Sequence, residues 1–78
     1  MFKLRILSND KCHYDGDAKA LIVPGATGYL EILPHHAPIV TLLKEGTLTY
    51  RDASNVSHKL EITKGLLEVS LHNATVLI

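Results

Sequence analysis

Polar and apolar residues alternate with a period of two along most of this chain. Phe2, Leu4 and Ile6 fall on one side and Lys3 and Arg5 on the other. Leu48 and Tyr50 alternate with Thr47, Thr49 and Arg51, Leu60 and Ile62 with Lys59 and Glu61, and Ala74, Val76 and Ile78 with Thr75 and Leu77. Successive side chains of a strand point to opposite faces, so each run predicts a strand with one face inward. The apolar segments Ala20 to Val23, Leu30 to Leu33 and Ile39 to Leu43 are bounded by Pro or Gly and are too short for helices, which predicts strands there too. Turn chemistry falls at Asn9-Asp10, Asp15-Gly16-Asp17, Pro24-Gly25, Glu45-Gly46, Asp52 to Asn55, Lys64-Gly65 and His72-Asn73. Many short strands on short connections define an all-β sandwich or barrel.

With 78 residues there is room for one domain, residues 1–78, and folding at this size buries only about 60 to 65% of the surface of the unfolded chain. Hydrophobic residues make up 46%, which excludes disorder and predicts a small Leu, Ile and Val core. Eight basic and eight acidic side chains cancel, and no stretch gathers Lys or Arg into a stripe that would neutralise phosphates. Nucleic acid is therefore not an expected partner. No apolar run approaches the roughly 20 residues of a membrane helix. Met1 to Leu7 alternates where a signal peptide would have basic and apolar blocks, and the single Cys12 fits a reducing compartment, so the expected location is cytoplasmic.

Reactive constellations are few. His13, His58 and His72 stand alone, and adjacent His35 and His36 would face opposite sides of an extended backbone, so no metal site is expected. Cys12-His13 lacks an orienting carboxylate and an oxyanion-hole motif, and reads as a surface hairpin pair. Pro24-Gly25-Ala26-Thr27-Gly28 lacks the Lys-Ser/Thr and the following helix of a phosphate loop, and reads as a tight connection using glycine's conformational freedom. Glu31, Glu61 and Glu68 are lone carboxylates, so no acid and base pair can be placed. Neither catalysis nor a cofactor is expected.

Leu33-Pro34-His35-His36-Ala37-Pro38 differs in kind, because two prolines fix φ twice and remove two backbone donors between apolar strands. Two readings stand side by side: a stiff loop that sets the crossing between sheets, or a docking surface carried on a rigid scaffold.

At this segment a resemblance emerges. Val23-Pro24-Gly25-Ala26-Thr27-Gly28, then Leu30 and Ile32-Leu33-Pro34-His35-His36-Ala37-Pro38, resembles the V-P-G-x-x-G-x-x-x-[IVL]-x-P-G-H-A-P-L pattern of the epsilon subunit of F-type ATP synthases, without a gap. Thr41-Leu42-Leu43-Lys44-Glu45-Gly46 is similar to its T-x-L-K-x-G, and Gly65-Leu66-Leu67-Glu68-Val69 with Ala74-Thr75-Val76-Leu77 to its G-[FIL]-[LV]-E-V and closing V-T-V-L. Leu4-Arg5-Ile6 and Tyr14-Asp15-Gly16 resemble its opening strand and Y-x-G turn.

The resemblance implies a ten-stranded β-sandwich of two five-stranded sheets at the foot of the central stalk. It implies two partners, the gamma subunit and the c-ring, on the cytoplasmic face of an energy-coupling membrane, and a role in coupling ion-driven rotation to ATP synthesis without catalysis. Carried over by position, the contacts to gamma or the ring would involve Tyr29, Glu31, His35, His36, Thr41, Thr63 and Glu68.

The chain departs from the pattern at four places. His35 stands where Gly is common, Lys64 where the first of a Gly-Gly pair is usual, Glu31 where Gly is frequent, and Tyr29 where the residue is often acidic. A non-glycine residue at a glycine position either bends the chain differently or bears strain. Many family members continue into a two-helix domain that binds ATP, and a chain ending at Ile78 is expected to bind no nucleotide. The rival reading is a biotinyl or lipoyl carrier domain with Lys64 at a hairpin tip, although Thr63 stands where Met or Asp usually precedes that lysine.

Overall fold

The computed structural model describes residues 1–78. It contains eight strands and no helix: β1 (Phe2–Ser8), β2 (Lys11–Gly25), β3 (Gly28–Ile32), β4 (Ile39–Leu43), β5 (Gly46–Asp52), β6 (Ser57–Ile62), β7 (Gly65–Val69) and β8 (Asn73–Leu77).

β2 organises the rest. Its first half pairs with β1, from Ser8 opposite Lys11 to Phe2 opposite Ala18. Residues Ala18 to Ile22 then pair with β5, and Leu21 to Gly25 with β3. A register shift between Ala18 and Ala20 marks the corner where the strand leaves one layer for the other. Divided there, one layer runs β2–β1–β8–β7–β4 and the other β3–β2–β5–β6. The circuit closes where Gly25 meets Leu43, with the Ala26 amide donating to the Leu42 carbonyl and the Lys44 amide to that of Pro24. β1 and β8 run parallel, and the other pairings are antiparallel.

The sandwich is as expected, but its strands divide into eight instead of ten. Counting the halves of β2 separately gives five strands in one layer and four in the other. One expected turn is absent: Asp15-Gly16-Asp17 reads as a turn but runs straight through β2, opposite Arg5, Leu4 and Lys3. Gly16 serves a different need: a Cβ there would lie 3.0 Å from the Tyr14 hydroxyl. The bare backbone lets the tyrosine fold over it and donate to the Asp17 carbonyl at 2.6 Å. Pro24-Gly25 likewise belongs to β2, and the turn falls one step later, at Ala26-Thr27. There Gly28 adopts φ 145°, a region open to glycine.

Fourteen buried apolar residues fill the space between the layers. Leu4, Ile6, Leu67 and Val76 come from one layer and Leu21, Val23, Ile32 and Leu48 from the other, all fully enclosed. Truncating one of these to Ala costs about 2 to 5 kcal/mol, a large share of what a domain this small has to spare.

Candidate partner-contact surface

Alternation puts Ile39, Thr41 and Leu43 of β4 toward the core, so Val40 and Leu42 point outward, each 65% exposed. Register carries this outer face across the layer. Leu42 lies opposite Leu66, Leu66 opposite Leu77, and Leu77 opposite Leu7, giving an unbroken row of leucines over β4, β7, β8 and β1. The neighbouring row reads Val40, Glu68, Thr75 and Arg5. Pro38, Val40, Glu68, Asn73 and Thr75 line a shallow, open depression beside the leucines. An outer sheet face that meets only water is ordinarily polar, so a contiguous apolar row marks a contact surface.

The loop between β3 and β4 adjoins the far end of this layer. The His36 amide donates to the Leu33 carbonyl at 3.2 Å, and His35 has φ 67°. With Pro34 second and a left-handed residue third, the segment is a type II turn, whose third position favours glycine. His35 takes the left-handed conformation all the same and bears the strain. Its ring meets the edge of His72, centroids 5.7 Å apart, which sets the loop against the β7–β8 connection. The turn also overrides the extended backbone expected at this pair: His35 is exposed, while His36 is half-buried and donates from Nδ1 to the Ala37 carbonyl at 2.6 Å.

The seven residues singled out by resemblance do not form one patch. Glu68 lies on the outer face beside Val40. His35 and His36 lie in the loop. Thr41 points inward, opposite buried Leu67. Thr63 is exposed on the connection from β6 to β7. Tyr29 and Glu31 belong to β3 in the other layer, where the Tyr29 hydroxyl accepts the Thr47 amide at 3.1 Å and so braces β3 against β5. The leucine row escaped the sequence reading, although a signal existed: Ile39 to Leu43 and Val76 to Ile78 are nearly all apolar, and a run without polar alternation is a strand covered on both faces.

Lys64 does not sit at a hairpin tip. It lies between β6, which pairs with β5, and β7, which pairs with β4 and β8, on a connection that crosses between layers. The groups whose titration the fold shifts gather at the β2 corner. Asp52 is held below the usual carboxylate range by a hydrogen bond from His58 and by the Val56 and Ser54 amides. Partial burial and nearby Asp52 raise the Tyr14 and Tyr50 hydroxyls above theirs.

Fold and surface together define a class: a small β-sandwich module with one outer sheet face suited to contact. Residues 1–78 match the family described as the ATP synthase delta/epsilon chain β-sandwich domain, and the chain belongs to it. It is 42% identical over 76 residues to the ATP synthase epsilon chain 2 of Burkholderia orbicola, covering 96% of this chain and 50% of that protein. It is 38% identical over 77 residues to the ATP synthase epsilon chain of Protochlamydia amoebophila, covering 99% and 52%. The chain thus spans about half the length of these relatives. Among solved structures, a chain of the Euglena gracilis mitochondrial ATP synthase (OSCP/F1/c-ring) superposes with a TM-score of 0.87 at 16% identity, over 97% of this chain and 49% of that one. A chain of the Tetrahymena thermophila mitochondrial ATP synthase central stalk and c-ring gives 0.79 at 17%, over 97% and 61%. At such identities the likeness concerns the fold.

Proposed function

We propose that this domain is a central-stalk part of a rotary ATP synthase, joining the gamma subunit to the c-ring and passing rotation between them, without catalysis of its own. The observation that supports this reading is the leucine row on the outer face of a domain of this family. Four strands present it from a closed sheet circuit, a rigid mount suited to a part that must transmit torque. The proline-braced loop with His35 and His36 would meet the ring, together with Tyr29 and Glu31. Glu68 would border the gamma contact, Thr63 would lie at its margin, and Thr41 would support β4 from beneath. The domain would work as a peripheral component on the cytoplasmic face of the membrane; no helix in it is long and apolar enough to cross one.

Calorimetry of the chain with the purified gamma subunit of the same organism tests the reading. We expect saturable one-to-one binding, weakened tenfold or more by Leu42→Glu, because a charge facing an apolar partner surface is left without hydration. His36→Ala should change it less. Full affinity in a folded Leu42→Glu variant would remove the leucine row from the interface.

A further inference from the structure

A second cluster stands apart from the leucine row, at the corner where β2 changes layers. Asp52 ends β5 and lies opposite Ala18, whose other neighbour is Phe2 of β1. Its Oδ1 accepts the Ser54 amide at 2.9 Å and the Val56 amide at 3.0 Å, and its Oδ2 lies 2.8 Å from His58 Nε2. An ionised carboxylate only accepts, so Nε2 carries the proton in this bond. The imidazole also stacks on Tyr50, its cross-strand partner, with centroids 4.9 Å apart and planes at 21°. Tyr50 in turn packs against Tyr14 of β2 at 4.6 Å. Carboxylate, imidazole and two phenols therefore form one chain of contacts from the β5–β6 hairpin to the first half of β2.

The second proton on His58 would strengthen two links of this chain together. It turns the bond to Asp52 into an ion pair, and charge-assisted bonds are roughly twice as strong as neutral ones. It also sets a cation against the face of Tyr50. The titratable groups around the ring are Asp52 and Tyr50 of β5, with Tyr14 and Asp17 of β2 behind them. Neither carboxylate opposes a positive charge on the imidazole.

We propose that Asp52, His58, Tyr50 and Tyr14 form a pH-responsive clasp that fastens the β5–β6 hairpin to the β2 corner. It is tightest with Asp52 ionised and His58 protonated, and looser once either charge is lost.

The test is urea unfolding of the wild-type chain, His58→Gln, Asp52→Asn and the double variant at pH 5 and pH 8. Both positions are partly exposed and both substitutions keep hydrogen-bonding groups, so all four chains should fold. His13, His35, His36 and His72 are common to all four chains, so their contributions cancel in a ratio. The folding advantage of wild type over His58→Gln should be about two- to fivefold larger at pH 5 than at pH 8, the scale of a partly exposed ion pair. On the Asp52→Asn background that difference should vanish, since this substitution keeps an acceptor for the loop amides but removes the charge. An equal advantage at both pH values, or a difference that survives Asp52→Asn, overturns the clasp.

Discussion

Two turns in this molecule each hold a non-glycine residue in the left-handed region, and they hold it differently. Asn55, with φ 68°, ends a turn in which its own amide bonds to the Asp52 carbonyl, the Asp52 amide bonds to that of Val56, and the Asp52 side chain takes two further amides. Asparagine visits this region more readily than most residues because its short polar side chain can hydrogen-bond locally. His35, with φ 67°, has one backbone bond closing its turn and an edge contact to another ring. The first turn is satisfied by its own chemistry. The second carries its strain in the loop proposed to dock.

Substitutions at these turns sharpen the contrast. Asn55→Val should cost the most, about 1 to 2 kcal/mol in urea unfolding, because a β-branched side chain fits the left-handed region poorly. Acid should separate the turns next. A carboxyl whose pKa is depressed on folding contributes stability that is complete above its unfolded value and is lost as pH falls through the folded one. Asp52 is depressed from 3.8, so protection of the Ser54 and Val56 amides from exchange should fall below about pH 4 while that of the His36 amide holds, a pattern that Asp52→Asn removes. The smallest effect should be a gain. His35→Gly relieves about 1 kcal/mol of left-handed strain and returns roughly half of it to the greater freedom of the unfolded chain, for a net stabilisation near 0.5 kcal/mol. A loss at that site would mean that the contact with His72 outweighs the strain.

These cases also show where the sequence was legible. β1, β5, β6 and β8 follow directly from alternation, since each turns every second residue toward the core. The Asp52 to Asn55 turn was visible in its residues. β2 was not, because Asp15-Gly16-Asp17 has the composition of a turn while its glycine answers to a tyrosine ring, a contact that composition does not encode. Family resemblance pointed to the β3–β4 loop and to Glu68, but single positions could not tell that Thr41 faces inward or that Tyr29 bonds to Thr47. The leucine row was missed because a row across a sheet depends on register, and four strands distant in sequence supply one residue each.

The parallel pairing of β1 with β8 affects how the domain comes into being. β1 lies beside β8, so the layer that carries the leucine row cannot be completed on a ribosome until β8 has emerged. Until then, β1 and the outward leucines of β4 and β7 have no finished sheet around them. Such a topology is rich in non-local contacts and belongs with domains that fold in milliseconds to seconds. In that interval the half-built layer exposes strand edges open to improper pairing, and it is most in need of protection.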